Sequence, residues 1–271
     1  CIGITDVSGL GNVYELNLSQ CNGLSDTSNI SALGNVHILN LSRCRKITDV
    51  SGLGNVHTLN LCECIGITNV SELRNVHTLN LCACKITDVS ALGNVYKLSL
   101  NWCSKITDSS NISALGNVHT LDLSNCHKIT DASNISSLRN VHTLNLSCCT
   151  GITDVSILSL GNVYDLNLSC CFKISNVSAL GNVHTLNLSS CNLITDVSEL
   201  KNVHTLNLSR CDKITNVSSL SRVHTLNLSY CDGITDTSNI SELGNVYNLN
   251  LRGITRITNT SALSNVSILL K

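Results

Sequence analysis

The stretch NVHILNLSRCRKITDVSGL at residues 35–53 decides the fold, because near copies of it fill the chain. The valine near the start of each copy recurs at intervals of 19 to 23 residues. These valines are Val13, Val36, Val56, Val76, Val95, Val118, Val141, Val163, Val183, Val203, Val223, Val246 and Val266. Self-similarity at a nearly fixed period is typical of a solenoid, in which each copy forms one turn.

Each turn combines a strand pattern with a short return. Val36, Leu39 and Leu41 are expected to point inward from a short strand, with strands of successive turns paired in parallel about 4.8 Å apart. Only about eleven residues then cross the back of the turn, so a 3₁₀ or extended segment is predicted there instead of a regular helix. Longer turns carry inserts at 26–31, 108–113, 131–136 and 236–241, which should form small bulges on the convex side with room for an extra helical turn.

The spacing Val36-x-x-Leu39-x-Leu41-x-x-Cys44 resembles the leucine-rich-repeat pattern LxxLxLxxN/C over essentially the whole chain. ITDVSGLGN at 47–55 is similar to the short repeats of bacterial internalins and of the protein-phosphatase-1 regulator class, and the cysteine resembles that of F-box protein repeats. The resemblance implies an α/β-type leucine-rich-repeat solenoid, mostly β, with a parallel β-sheet on the concave face and 3₁₀ or extended turns on the convex face. We interpret residues 1–271 as a single domain of about 12–13 turns, cut in mid-repeat at both ends.

Composition disfavours two classes of partner. The formal net charge is −1 with 13% charged residues, so no summed field attracts nucleic acid or an anionic membrane. No apolar run reaches the roughly 18 to 20 residues of a membrane span, and CIGITDVSGL at the start lacks the features of a signal peptide. We therefore expect neither nucleic acid nor a membrane as partner.

Twelve of the sixteen cysteines form one row, which we name the cysteine ladder. It comprises Cys1, Cys21, Cys44, Cys64, Cys84, Cys103, Cys126, Cys149, Cys171, Cys191, Cys211 and Cys231. These small side chains are expected to be buried, with each thiol bonded to backbone groups where the chain leaves the strand. A linear row cannot provide the four converging ligands of a zinc site, so no metal is expected.

The other four cysteines occur as two pairs. Cys62 and Cys82 occupy the same place in adjacent turns, as do Cys148 and Cys170. Strand spacing puts their Cα atoms about 5 Å apart, within disulfide range, so free thiols and disulfides both remain open.

The glycosylation sequon Asn-Leu-Ser recurs inside the strands, where glycans about 5 Å apart would be crowded. It begins at Asn17, Asn40, Asn145, Asn167, Asn187, Asn207 and Asn227. The crowding disfavours a eukaryotic secretory route, and the cysteines fit a reducing cytoplasm. The uniform copies resemble leucine-rich-repeat arrays of protists and of large DNA viruses of amoebae, which would imply host cytoplasm or a virion.

Histidine or tyrosine follows the repeat valine in most turns, and we name this set the aromatic row. It comprises Tyr14, His37, His57, His77, Tyr96, His119, His142, Tyr164, His184, His204, His224 and Tyr247. We expect a stack that shields the strand edge, in which imidazoles about 5 Å apart resist simultaneous protonation, so that acid loosens this face or releases a partner. His57, His77, His142, His184 and His204 are candidate partner contacts, with metal capture by neighbouring histidines as the alternative.

An acid row follows the ladder, with Asn substituting for Asp in four turns. It comprises Asp6, Asp26, Asp49, Asp88, Asp108, Asp131, Asp154, Asp196 and Asp236, with Asn69, Asn176, Asn216 and Asn259. Because Asn can accept the same hydrogen bond without the charge, a turn-capping role is favoured over calcium binding.

The residue before the ladder cysteine varies most, and we name this set the rim row. It comprises Gln20, Arg43, Glu63, Ala83, Trp102, Asn125, Cys148, Cys170, Ser190, Arg210 and Tyr230. Trp, Tyr and Arg dominate interface energies most often, so Trp102, Tyr230, Arg43 and Arg210 are the leading candidate contacts. Unselected drift at an exposed position is the alternative.

No nucleophile, phosphate-loop or metalloprotease motif is present, so we expect no enzyme, no cofactor and no catalytic residue. The favoured function is a protein-protein interaction scaffold that holds a protein partner on its concave face or rim. Self-association through uncapped ends would instead make the chain a structural component of a lattice, filament or viral particle. An internalin-like adhesin is the third hypothesis.

Overall fold

The computed structural model describes residues 3–130, 132–235 and 239–270. Cys1 of the cysteine ladder, together with Asp131 and Asp236 of the acid row, therefore lies outside the described residues. The chain divides into two compact units, the first comprising Cys1–Ile129 with Asn140–His142 and the second comprising Thr130–Arg139 with Thr143–Lys271.

Every strand begins two residues after the repeat valine and is three residues long. The first unit contains β1 Glu15–Asn17, β2 Ile38–Asn40, β3 Thr58–Asn60, β4 Thr78–Asn80, β5 Lys97–Ser99 and β6 Thr120–Asp122. The second contains β7 Thr143–Asn145, β8 Asp165–Asn167, β9 Thr185–Asn187, β10 Thr205–Asn207, β11 Thr225–Asn227, β12 Asn248–Asn250 and β13 Ile268–Leu270. Within each unit, each strand pairs in parallel with the next strand in sequence.

The returns are short helices, as the residue count between strands predicts. The 3₁₀ helices are Ser8–Leu10, Asp26–Ser28, Ile30–Asn35, Ser51–Leu53, Ser71–Asn75, Ser90–Leu92, Ile112–Asn117, Ser137–Asn140, Leu160–Asn162, Ser178–Leu180, Ser198–Asn202, Ser218–Arg222, Ile240–Asn245 and Ser261–Leu263. Two α-helices of about one turn, α1 Ala132–Ser136 and α2 Asp154–Ile157, lie in longer turns. The predicted fold class, a mostly β solenoid with a parallel sheet and 3₁₀ returns, is confirmed.

The register is identical from turn to turn, so like residues stack on like. Leu59 lies opposite Leu39 on one side and Leu79 on the other. One turn contributes Val56, Leu59, Leu61, Cys64 and Ile67 to the core, all at most 1% exposed. Because a lone turn cannot cover this apolar side, each turn depends on its neighbours for stability.

The insert at residues 26–31 adds a turn of backbone on the side away from the sheet. Asp26–Ser28 forms an extra 3₁₀ turn, in which the Ser28 hydroxyl accepts the N–H of Ser25 at 3.1 Å. Asn29 follows it in the left-handed conformation, with φ of 57°, and donates to Asp6 at 3.0 Å. An extra helical turn at the insert, which the sequence predicts, is therefore confirmed at residues 26–31.

Candidate functional site

The cysteine ladder joins successive turns through its thiols. The Cys64 Sγ donates to the carbonyl oxygen of Leu41, in the preceding turn, at 3.1 Å. The same bond, at 3.0 to 3.3 Å, is made by Cys44, Cys84, Cys103, Cys126, Cys171, Cys191, Cys211 and Cys231. The predicted structural role of this row is confirmed.

Burial keeps these thiols protonated. It raises the pKa of Cys64 and of Cys191 to about 12 and that of Cys231 to about 11, because the thiolate would lose its hydration. A protonated thiol is the form that can donate to a carbonyl. Since the thiolate is the reactive form of cysteine, burial suppresses the reactivity of Cys64, Cys191 and Cys231 at neutral pH.

The rim row has a left-handed backbone conformation, although most of its residues are types that rarely adopt it. All eleven of its residues have φ between 57° and 64°, in the left-handed region. Gly253 occupies the next position with φ of 79°. The pairing between turns continues through this row, as in the bond from the Glu63 N–H to the Cys82 carbonyl at 2.7 Å. Hydrogen bonds between turns therefore hold rim residues of both units in one conformation, whatever their side chains.

In the first unit, two arginines share one carboxylate. Arg43 Nε and Nη2 contact Glu63 Oε1 at 3.0 and 2.9 Å, while Arg45 Nη2 contacts Glu63 Oε2 at 3.2 Å. The hydrogen bonds from Arg43 and then Arg45 lower the pKa of Glu63. With Gln20 and Asn22 these three side chains line an open groove. Arg43, a predicted contact, is thus exposed but already engaged by an acid of the neighbouring turn.

Trp102 is the most exposed aromatic side chain of the rim row, at 57%. Its ring meets the edge of His127 in the next turn, with centroids 6.4 Å apart and planes at 88°. His127 and Arg45 both directly follow a ladder cysteine, a position that the rim row does not include. The residues that directly follow the ladder cysteines vary widely, as the rim row does. This shared variability is the sequence signal that could have indicated that the two positions form one edge.

In the second unit, Tyr230 lies between two rim neighbours. The Arg210 guanidinium carbon stands 5.0 Å from the Tyr230 ring centroid, a cation–π contact. On the other side is Gly253, where an added Cβ would fall 2.4 Å from Tyr230 Cδ1. Tyr230 stays 42% exposed, so the stack still presents an aromatic surface to solvent.

The aromatic row is a stack in both units, as predicted. Ring centroids of neighbours lie 4.5 to 4.9 Å apart from Tyr14 to His142 and 4.4 to 4.8 Å apart from Tyr164 to Tyr247. A hydrogen bond to the following threonine orients the ring, as between His57 Nδ1 and Thr58 Oγ1 at 3.2 Å. Of the five candidate histidines, His184 is half-buried, whereas His57, His77, His142 and His204 are exposed.

The acid row caps turns, with Asn and Asp interchangeable. Asp49 Oδ1 accepts the N–H of Ser51 at 2.9 Å, and Asn69 Oδ1 accepts that of Ser71 at 3.0 Å. The predicted capping role is confirmed for these two residues and for Asp6, Asp88, Asn176, Asp196, Asn216 and Asn259. The hydrogen bonds from the backbone and then the side chain of Ser51 lower the pKa of Asp49.

Asp154 bonds to the following turn instead of its own. Its Oδ1 accepts the N–H groups of Ser175 and Asn176 at 2.7 and 3.0 Å, and its Oδ2 accepts the Ser175 hydroxyl at 2.7 Å. Partial burial acts to raise the pKa of Asp154, but the bonds from Ser175 and Asn176 outweigh it and the pKa is lowered. Asp26 makes the corresponding bonds to the N–H groups of the next turn.

Within residues 3–130, 132–235 and 239–270, no three or more His, Cys, Asp or Glu side chains are grouped so as to hold a metal ion. None of the helices in these ranges has the length and apolar character needed to cross a membrane.

Comparison with known proteins identifies the turns. The family model described as "Leucine Rich repeat" matches residues 137–161. The turns are leucine-rich repeats. No curated protein sequence matches this leucine-rich-repeat chain.

Solved structures with the same fold include two internalins. An internalin (inlF) from Listeria monocytogenes str. 4b F2365 is 25% identical with a TM-score of 0.72, covering 97% of this chain and 80% of that one. The functional domain of InlJ from Listeria monocytogenes, described as including a cysteine ladder, is 16% identical with a TM-score of 0.53, covering 90% and 64%. TLR13 in a complex with ssRNA13 is 21% identical with a TM-score of 0.66, covering 89% of this chain and 40% of that one.

Proposed function

We propose that this leucine-rich-repeat chain is a non-catalytic scaffold that binds a protein partner along the rim row and the adjoining sheet face. The observation that carries the proposal is the contrast between backbone and side chain at the rim. Eleven successive rim residues share one backbone conformation, yet they range from Ala and Ser to Arg, Glu and Trp. Turns that are otherwise nearly identical therefore differ in the chemistry that they present along one edge.

The anchor residues are the exposed aromatic side chains of that edge. Trp102 and Tyr230 are 57% and 42% exposed, and both side chains have neighbours that restrict their motion. Such preordered aromatic groups lose little conformational entropy when a partner covers them. An anchor of this kind typically costs about 2 kcal/mol of binding energy or more when it is truncated.

The sheet face beside the rim suits an extended protein surface. Its asparagines are occupied within their own turns, since Asn60 Oδ1 accepts the Cys62 N–H at 3.0 Å. The half-buried threonines and the stacked aromatic row are left to meet a partner. Arg43, which is paired with Glu63, and Arg210, which contacts the Tyr230 ring, each place a cation on the rim of their own unit and so favour a partner with acidic groups.

We further propose that the protein works in a reducing compartment, the cytoplasm. Support comes from the cysteines, since none of the fifteen within the described residues takes part in a disulfide. It also comes from the sequon asparagines, since Asn167 and Asn187 lie opposite each other on neighbouring strands, where glycans on both would be crowded.

The test is selection of binders to the full chain from a displayed peptide library, followed by affinity measurement on variants. Trp102→Ala or Tyr230→Ala should weaken binding about 30-fold, the equivalent of about 2 kcal/mol. The matched control is Val155→Ala in α2, which removes an apolar side chain that is 64% exposed on the other side of the turn. That control should change affinity by less than about twofold.

Binders that lose affinity equally with all three variants, or with Val155→Ala alone, would contradict the proposal. The alternative, a self-assembling component, predicts a sedimentation coefficient that rises steadily with concentration. A chain that stays monomeric at high concentration while it binds selected peptides fits the scaffold and not the lattice.

A further inference from the structure

Two cysteines outside the ladder occupy successive rim positions in the second unit. Cys148 and Cys170 both have φ of 59° and are half-buried. The Cys148 N–H donates to the Ser169 carbonyl at 2.8 Å, and the Cys170 N–H donates to the Ser189 carbonyl at 2.9 Å. The pairing between turns thus holds the two cysteines directly opposite each other.

The two thiols also contact each other. Their side chains are hydrogen-bonded, and burial, followed by the proximity of Cys170, raises the pKa of Cys148. Neighbouring parallel strands are about 4.8 Å apart, and disulfides span Cα separations of about 4.4 to 6.8 Å. The pair is therefore a dithiol at bonding distance, held by the backbone of two turns.

We propose that Cys148 and Cys170 are a redox modification site, which closes as a reversible disulfide between adjacent turns at the expense of a low-molecular-weight disulfide such as oxidised glutathione. One thiolate attacks a sulfur of the reagent and releases one thiol, which leaves a mixed disulfide on the protein. The second cysteine attacks the protein-bound sulfur and releases the second thiol. The protein loses two electrons and two protons, and the reagent disulfide accepts them as two thiols.

Neighbouring cysteines are poorly placed for the same reaction. Cys149 and Cys171 are fully buried, and Cys171 Sγ donates to the Leu146 carbonyl at 3.3 Å. Cys62 and Cys82 face each other in the first unit, but burial raises the pKa of Cys82 to about 12, which suppresses its thiolate. Cys148 and Cys170 are thus a pair that the fold aligns across two turns and leaves half-buried, within reach of a reagent.

Formation of this disulfide would change the chemistry of the rim row. Oxidation replaces two thiol donors with one apolar bridge across two of the eleven rim positions. The inference does not depend on a partner, so its failure and the failure of the proposed scaffold function are separate results.

The experiment incubates the full native chain in buffers of graded oxidised-to-reduced glutathione ratio, then blocks free thiols and digests without reduction. Cleavage before Asp154 and before Asp165 separates the two cysteines, so a cross-link joins two peptides in the mass spectrum. We expect a joined pair that has lost two hydrogens, with fragment ions at Cys148 and Cys170, and its complete release by dithiothreitol.

Three variants sharpen the result. Cys148→Ser and Cys170→Ser should each abolish the cross-link and leave the remaining cysteine as a glutathione mixed disulfide. Serine is compatible with this position, since Ser190 occupies the next rim position with φ of 62°. The control Cys82→Ser should leave the cross-link unchanged.

Two outcomes would overturn the inference. One is a chain in which Cys148 becomes glutathionylated at every ratio without cross-linking to Cys170. The other is a cross-link that joins Cys148 to Cys149, or that survives in Cys170→Ser.

Discussion

Replacing Ala83 with glycine should be tolerated or stabilising, although the same change a few residues away destabilises. Ala83 is a rim residue with φ of 57°, a conformation that costs a residue with a Cβ roughly 1 to 2 kcal/mol and costs glycine almost nothing. The matched control is Ala91, which lies in the 3₁₀ helix Ser90–Leu92 of the same turn, has no positive φ and is also half-buried.

The two substitutions share every other effect. Each removes one half-buried methyl group, and each gives the unfolded chain the extra freedom of glycine, worth about 0.5 to 1 kcal/mol against folding. Only Ala83→Gly also removes the left-handed penalty. The difference in unfolding free energy between the variants is therefore about 1 to 2 kcal/mol, with Ala83→Gly the more stable.

Urea denaturation followed by circular dichroism measures this difference, and thermal melting should show a gap of roughly 2 to 8 °C. Ala91→Gly should melt below the wild type and Ala83→Gly at or above it. Equal losses of stability in the two variants would refute the reasoning. They would mean that the left-handed conformation of Ala83 has no energetic cost that glycine could remove.

Three further substitutions probe other contacts. Gly253→Ala should lower the unfolding free energy by about 1 kcal/mol and displace the Tyr230 ring, as melting and tyrosine fluorescence would record, whereas Gly9→Ala, with no atom within 4 Å of its added Cβ, should not destabilise. Asp154→Asn should lower the melting temperature at neutral pH. Because the pKa of Asp154 is lowered in the folded state, its contribution to stability is complete above a pH of about 4 and is lost as the pH falls through the folded pKa. The melting temperatures of the wild type and of this variant should therefore converge in acid. Cys64→Ala should cost about 1 kcal/mol or more through a lost thiol bond and a small void, measured by urea denaturation against Cys62→Ala as the half-buried control.

The sequence predicts the fold because each core position requires only an apolar side chain that points inward. Leu59 and Leu61 point inward and alternate with polar residues, and the 20-residue spacing leaves too few residues for a long helix. Repetition also makes each row visible, so the stacked aromatic row and the donor role of the cysteine ladder follow from it. Both depend only on neighbouring turns that share one register.

The rim conformation was not predictable from residue types. Left-handed backbone is usually signalled by Gly or Asn, but this row holds Arg, Glu and Trp, because bonds from the turns on either side impose the shape. Side-chain partners across turns were missed for a related reason. Arg45 directly follows a ladder cysteine, and it contacts Glu63, the rim residue of the next turn. A comparison of equivalent positions in successive turns does not reveal a contact between two different positions.

Asp154 shows how a longer turn changes the function of an equivalent position within the repeat, since 22 residues separate Val141 from Val163. Asp49 caps its own turn, whereas Asp154 begins α2 and reaches Ser175 and Asn176 in the next. Aligned residues thus perform different tasks when the backbone that begins at them forms an extra helical segment, as Asp154–Ile157 does. Only the coordinates reveal which carboxylates cross between turns.

Identical register has a consequence at the level of the gene. Because Leu59 meets Leu39 and Leu79 through the same pairing, excision of one 20-residue unit brings together two surfaces that already match. A DNA segment encoding one unit can therefore be lost, copied or exchanged by unequal recombination without creating a misfit at the junction. Each such event removes or adds one rim residue, so the order of side chains along the edge can be rewritten faster than point mutation alone would allow.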